Sequence, residues 1–117
     1  MQRDLAKLIW DARNAAGRAI EFMSGRALDE YLANDLVRSA VERQCEIMGE
    51  ALGRLRNVAP DTAERIPELK SIVGFRNVLV QGYSTIDDRL VWEIVALKLP
   101  ELRAVLDGLL EGQGAHE

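Results

Sequence analysis

Residues that bind metals or form disulfides are almost missing from this sequence. The chain has one cysteine, Cys45, and one histidine, His116. A single cysteine cannot form an internal disulfide, and one histidine with no cysteine cluster cannot build a zinc site. We therefore expect no metal site and no redox role. Because no basic cluster adjoins Cys45 to lower its pKa, we expect a small residue on a helix flank instead of a reactive thiol.

Residues typical of strands and of membrane segments are also scarce. The chain contains three prolines and 5% aromatic residues. No apolar run approaches the roughly 20 residues that a membrane-spanning helix needs. The stretch Met1 to Trp10 mixes charged and apolar residues, whereas a signal peptide separates them. The sequence therefore predicts a helical, cytoplasmic protein with no membrane partner.

An excess of positive charge is missing as well. The net charge is -4 and the pI is near 5.1, which excludes the broad electropositive surface of proteins that hold long duplex nucleic acid. Basic residues outnumber acidic ones only locally, from Arg54 to Arg76, and acidic residues dominate after Arg76. This asymmetry allows a small anion site, although a mixed solvated surface would give the same composition.

What the sequence does contain is apolar residues at helical spacing. Spacings of three and four predict a first helix that stops before Gly25 and a long helix from Asp35 to about Asn57. A third helix is predicted from about Glu68 to Gln81, and a last one continues to Leu110.

Short polar and proline-containing segments separate these helices. One or two helical turns are predicted from Leu28 to Leu32, and the Asn34 side chain is expected to cap the long helix. Pro60 and Pro67 predict a loop with a helical turn. Gly82 is expected to end the third helix in a left-handed cap. Thr85 and Asp88 form an approximate capping box for the last helix, which Pro100 should kink.

A chain of 117 residues can bury one core. Four amphipathic helices can cover their apolar faces only by packing against one another. The sequence therefore predicts an all-α, single-domain antiparallel bundle of four main helices plus short helical turns. We place this bundle at residues 1–111 and expect 112–117 to be a disordered tail.

One charged residue interrupts the apolar face of the third helix. The series Leu69, Ile72 and Val73 continues through Arg76 to Leu79 and Val80. An arginine cannot be neutralised by losing a proton, so in a core-facing position it must pair with an acid, reach water or hold an anion. Position alone leaves these alternatives open.

The residues around Arg76 carry a motif. Residues 74–83 read GFRNVLVQGY. This string resembles the R-x-x-x-x-H-x-Y motif of the HepT-like group of HEPN ribonuclease toxins, which usually stands in a phrase similar to G-[MF]-R-N-x-L-V-H-G-Y. Only the histidine position differs, where this chain has Gln81. The resemblance extends to residues 47–51, 83–87, 91–93 and 99–102. The matching motif residues are Arg76, Asn77, Leu79, Val80, Gly82 and Tyr83.

The resemblance implies both a fold and a function. It implies a HEPN-like helical bundle that acts as a metal-independent endoribonuclease without a cofactor, and a homodimer whose two motifs face a shared cleft. It also implies an MNT-type nucleotidyltransferase antitoxin as partner. In the family this antitoxin is thought to silence the toxin by transferring AMP to the motif tyrosine, which is Tyr83 in this chain.

The chemistry of the motif residues agrees with RNA cleavage in all but one position. Arg76 can supply a fixed cation for the phosphorane, Asn77 can orient a phosphate, and Tyr83 can hydrogen-bond a phosphate or stack on a base. Gln81 cannot exchange a proton near neutral pH as histidine does. Losing general acid-base catalysis typically lowers the rate by a factor on the order of 10² to 10⁴. His116, in the expected tail, is not a substitute.

Two other interpretations remain open from the sequence. The chain could be a non-catalytic dimeric module that binds a nucleotidyltransferase or a nucleotide through Arg76 and Tyr83. It could also be a plain bundle in which Arg76 pairs internally, for instance with Glu50. Gln81 itself fits either a natural loss of catalysis or a substitution introduced so that a toxic protein could be produced.

Overall fold

Within the described residues, four long helical segments, the last of them a continuous run over residues 88–114, are accompanied by two short helices. The computed structural model describes residues 2–81 and 86–114, and this part of the chain contains helices and no strand. The predicted all-α fold is confirmed. In chain order the helices are α1 Gln2–Met23, α2 Leu28–Ala33, α3 Asp35–Val58, α4 Pro60–Ala63, α5 Leu69–Gln81, α6 Asp88–Glu93 and, after a π turn at Ile94–Lys98, α7 Leu99–Gly114.

Local signals place the helix ends close to the predicted positions. Gly25 has a positive φ of 76°, which glycine adopts without strain, and it follows the end of α1. The side chain of Asn34 accepts a hydrogen bond from the backbone N–H of Val37 at 3.0 Å, so it caps α3 as predicted. Pro60 occupies the first position of α4, where its missing N–H costs nothing.

The start of α6 differs from the prediction. The N-cap is Asp87, whose carboxylate accepts a hydrogen bond from the N–H of Leu90 at 3.2 Å. Aspartate is among the best N-cap residues, so the cap forms two residues after Thr85 and the predicted capping box from Thr85 to Asp88 is wrong. Thr85 and the predicted cap at Gly82 lie outside the described residues.

The last helix changes its hydrogen bonding just before Pro100. In the π turn Ile94–Lys98 the N–H of Leu99 donates to the carbonyl of Ile94, five residues back. Proline has no N–H, and its ring clashes with the carbonyl four residues earlier, here that of Ala96. The wider turn accommodates this conflict, so the predicted irregularity in the last helix takes the form of a π turn. α7 then runs to Gly114 and covers residues 112–114 of the predicted tail.

The core is built around α3, which packs against α1 and α5, while α7 packs against α1. The buried face of α1 is rich in alanine, and small side chains let a neighbouring helix approach closely. The large fully buried side chains of α3 fill the centre. The buried alanines of α1 are Ala12, Ala15, Ala16 and Ala19, and the core of α3 is Val41, Cys45, Met48, Leu52 and Leu55.

Cys45 and Val80 differ from their predicted burial. Cys45 is fully buried in the core and not on a helix flank. Val80 is 51% exposed because α5 packs mainly against α3. Among the described residues, no helix is both long enough and apolar enough to cross a membrane.

Candidate functional site

The predicted motif lies on α5. Arg76 is half-buried toward α3, whereas Asn77 and Gln81 are exposed. Asn77 and Gln81 are four residues apart and therefore share one side of the helix. Tyr83, the remaining predicted site residue, lies outside the described residues. The structure thus places three of the four predicted residues on one helix that faces both the core and solvent.

A glycine on α3 determines how close Arg76 comes to the core. Gly49 is buried, and a Cβ atom added to it would lie 2.2 Å from Cβ of Arg76 and 2.6 Å from its Cγ. A turn further along α3, Gly53 faces Val73. Because later residues of α3 meet earlier residues of α5, the two helices are antiparallel. They can cross this closely at Arg76 only because position 49 has no side chain.

The role of Gly49 was not predicted from the sequence. The signal was present, because an isolated glycine inside a helical pattern costs stability and usually has a packing reason. The sequence could not name the residue that Gly49 contacts, since Arg76 belongs to another helix.

The guanidinium of Arg76 has few partners within the protein. Its Nη1 donates to Oδ1 of Asn77 at 3.1 Å, and its Nε is shielded from solvent with no hydrogen-bond partner in residues 2–81 and 86–114. No acidic side chain in this part of the chain forms an ion pair with Arg76, and Glu50 is exposed. The interpretation in which Arg76 pairs with Glu50 is therefore wrong. An anion can still approach the cation.

Gln81 supplies polarity without acid-base function. It is the last residue of α5 and is exposed to solvent. Its amide can donate and accept hydrogen bonds but has no protonation change near pH 7. His116, the one histidine of the sequence, lies outside the described residues. In the part of the chain that the structure describes, no three His, Cys, Asp or Glu side chains form a group suited to a metal ion.

An arginine on α3 connects the start of that helix to the start of α6. Nε of Arg38 lies 3.4 Å from Oδ2 of Asp88, and its Nη1 donates to the carbonyl oxygens of Tyr31 and Leu32. Asp88 follows the cap residue Asp87. These contacts hold the start of α6 against α3. Arg38 also pairs with Asp35 on its own helix, but its partner on α6, Asp88, is fifty residues away, so sequence reasoning missed Arg38 as a positioning residue.

Two ionisable residues of α3, Glu42 and Cys45, have raised pKa values. Burial raises the pKa of Glu42, the charge of Asp88 raises it further, and Arg38 lowers it. Burial, followed by the carboxylates of Glu42 and Glu46, raises the pKa of Cys45 to about 12. The Cys45 thiol therefore stays protonated at neutral pH, and a thiol is a far weaker nucleophile than a thiolate.

An apolar groove runs beside the motif helix. It separates α5 from the last helical segment, has a volume of about 400 Å³, and is lined by Phe75, Val78, Leu90 and Ile94 among others. Val78 is 54% exposed and Leu90 is 47% exposed. Solvated apolar surface of this kind on a small protein commonly marks a contact surface.

Comparisons with known proteins agree with the motif. The family model for HepT-like ribonucleases matches residues 12–109. A candidate RNase from Methanocaldococcus jannaschii is 35% identical over 104 residues, covering 87% of this chain and 93% of the relative. A probable ribonuclease HepT from Thermococcus cleftensis is 26% identical over 111 residues, covering 93% of this chain and 98% of that protein. No solved structure gave a significant match.

Proposed function

Since this chain belongs to the family of HepT-like ribonucleases, we propose that it is the toxin of a HEPN-type toxin-antitoxin pair, with the scaffold of a metal-independent endoribonuclease whose catalysis is impaired at Gln81. The observation that carries this proposal is the half-buried Arg76 guanidinium, which forms no ion pair with an acidic side chain of the described residues. A cation in this state is suited to meet a phosphate.

The reaction requires a cation and two proton transfers. The 2′-oxygen of a ribose attacks the adjacent phosphorus and gives up its proton, while the bond from phosphorus to the 5′-oxygen breaks and that oxygen takes up a proton. Negative charge builds on the phosphorane oxygens, where the Arg76 cation can stabilise it and the Asn77 amide can orient the phosphate. Gln81 can hydrogen-bond the substrate but cannot accept or deliver the protons. RNA binding with slow or absent cleavage is the expected behaviour.

Removing the Arg76 guanidinium should weaken RNA binding. Hydrogen bonds to charged groups contribute about 1.5–3 kcal/mol, so Arg76→Ala is expected to raise the dissociation constant roughly 10- to 100-fold. Fluorescence anisotropy of a labelled single-stranded RNA measures this change. Arg76→Lys, which keeps the charge but loses the planar fork, should give an intermediate value.

An exposed arginine on α3 provides the matched control for this experiment. Arg56→Ala removes the same charge from a solvent-exposed position of α3. Circular dichroism of each variant checks that the bundle is still folded. Equal RNA affinities for Arg76→Ala and Arg56→Ala would contradict the proposed role of Arg76.

We assign the role of modification site to Tyr83 and the role of antitoxin to an MNT-type nucleotidyltransferase. The support is the motif position of this tyrosine in a chain of this family. Coexpression with such a partner, followed by mass spectrometry of the peptide that contains Tyr83, should find one added AMP. An unmodified peptide together with full inhibition of the Gln81→His variant by the partner would rule out this mode of silencing.

Self-association into a homodimer is also part of the proposal. The groove beside α5 supports it, because Val78 and Leu90 expose apolar surface next to the motif helix. Light scattering at micromolar concentration is expected to give twice the chain mass of 13.1 kDa. A monomer under these conditions would contradict a dimeric site.

A further inference from the structure

An exposed tryptophan and two arginines share one face of α1, opposite its buried alanines. Trp10 is 49% exposed, and Arg13, Gly17 and Arg18 follow it by three, seven and eight residues. Residues at these spacings lie on the same side of a helix. The segment from Trp10 to Arg18 spans about 12 Å along the helix axis at 1.5 Å per residue.

A third arginine reaches this face from α7. Arg103 lies across Gly17, where a Cβ atom would be 3.6 Å from Nη1 and 3.7 Å from Cδ of Arg103. Arg13, Gly17, Arg18 and Arg103 line a polar cleft of about 200 Å³ between α1 and α7. We call this surface the α1–α7 cleft; Trp10 does not line it and lies about one helical turn before Arg13 on α1.

The positive charge of the cleft is only partly neutralised. Arg13 Nε lies 3.2 Å from Oδ1 of Asp107 but makes no aligned hydrogen bond and is shielded from solvent. Arg18 and Arg103 form no ion pair with any residue in 2–81 or 86–114, although Glu21 also lines the cleft. In a protein of net charge -4, the cleft thus holds two arginines that form no ion pair among these residues, on the side of α1 that exposes the Trp10 indole about two turns before Arg18.

We propose that the α1–α7 cleft is a second binding site for single-stranded RNA, separate from the motif. Single-stranded nucleic acid is held by cations that follow its backbone and by aromatic rings on which bases stack. Arg18 and Arg103 supply the cations, and Trp10 supplies the ring. An acidic protein surface would form ion pairs with the arginines, but it would gain nothing from stacking on an exposed indole on the same side of α1.

The cleft and the motif belong to different faces of the bundle. α3 packs against both α1 and α5, and Arg76 meets α3 at Gly49. An RNA bound at the cleft can therefore be held while another part of the same strand reaches α5. This inference rests on the proposed ribonuclease function, because it assigns a further contact for the same substrate class.

Substitutions on α1 and α7 test the two components separately. Trp10→Ala should weaken binding of a labelled single-stranded RNA about fivefold or more through loss of stacking, and Trp10→Phe should restore most of it. The double variant Arg18→Gln/Arg103→Gln should lower the slope of log K against log salt by about 1.4, if each arginine neutralises one phosphate. The matched control is Arg56→Gln/Arg65→Gln, which removes two exposed arginines elsewhere.

The results separate this inference from the proposed function. Binding that is lost in Arg76→Ala but unchanged in both cleft variants would overturn the cleft and leave the ribonuclease proposal intact. If the cleft and control double variants lose RNA affinity equally, the loss is a general charge effect. This result would also overturn the cleft proposal. If the wild-type protein binds no single-stranded RNA, both the cleft site and the proposed ribonuclease function are wrong. RNA affinity that falls in the arginine double variant but not in Trp10→Ala would show a site for anions that does not stack bases, and would overturn the nucleic-acid assignment.

Discussion

Replacing Gln81 by histidine is expected to raise the rate of RNA cleavage by about 10²- to 10⁴-fold. Position 81 is the exposed end of α5, so the imidazole adds a titrating group without disturbing the core. Five residues of α-helix place it about 7.5 Å along the axis and about 140° around it from Arg76, so the long Arg76 side chain has to reach along α5 for both groups to contact one phosphodiester. Histidine has an ordinary pKa near 6.5, so the gained activity should depend on pH around that value.

Cleavage of an end-labelled single-stranded RNA in the presence of a chelator measures this gain and tests whether the reaction needs a metal. Gln81→Asn is the matched control, because its amide also lacks a titrating group. The double variant Gln81→His/Arg76→Ala should lose most of the gained activity. A Gln81→His protein that binds RNA but does not cleave it would end the enzyme interpretation and favour the non-catalytic module.

Placing a single methyl group on Gly49 is expected to destabilise the protein by about 2 kcal/mol. The added Cβ would lie 2.2 Å from Cβ of Arg76, a distance that real Cβ atoms essentially never show. Both atoms are attached to helix backbones, so α3 and α5 must move apart. Overpacking of this kind costs about 1–3 kcal/mol, and we expect the upper end, against about 1 kcal/mol gained from the better helix propensity of alanine.

Thermal unfolding of Gly49→Ala should show a melting temperature lower by about 8 °C, at roughly 4 °C per kcal/mol for a chain of this size. RNA affinity should fall as well, because Arg76 moves with α5. Gly53→Ala is the matched control on the same helix, where the added Cβ would lie 3.8 Å from Cγ1 of Val73, an ordinary contact. Since it gains helix propensity without a clash, it should unfold at an equal or higher temperature. Stabilisation by both substitutions would show that the close crossing at Arg76 is not required.

Much of the fold could be predicted because its signals are local. The Asn34 cap, the positive φ at Gly25 and the helical turn at Pro60 depend only on residues within one or two turns. The one misplaced cap arose because Asp87 and Thr85 are both acceptable cap residues, and neighbouring sequence does not decide between them. The irregular turn before Pro100 was predictable for the same reason, since its cause is a missing N–H in the same helix.

The sequence identified the residues of the candidate site but not the residues of other helices that contact them. Arg76, Asn77 and Gln81 are adjacent in sequence, so a motif can identify them and helical spacing can place them. Gly49 packs against Arg76 of α5, and Arg38 pairs with Asp88 of α6; each of these contacts joins residues that are far apart in sequence. Periodicity gives the apolar side of a helix but not how much of it a neighbour covers, as the exposure of Val80 illustrates.

The sequence by itself determined the positions of the helices, the motif on the third long helix and the absence of a titrating group at position 81. Only the tertiary structure decided that Arg76 has no acidic partner among the described residues, that α3 and α5 cross at Gly49, and that Arg103 joins α1 to form a basic cleft. The physical reason is that hydrogen bonds within a helix join neighbours in sequence. The distances between helices depend instead on side-chain volumes contributed from separate parts of the chain.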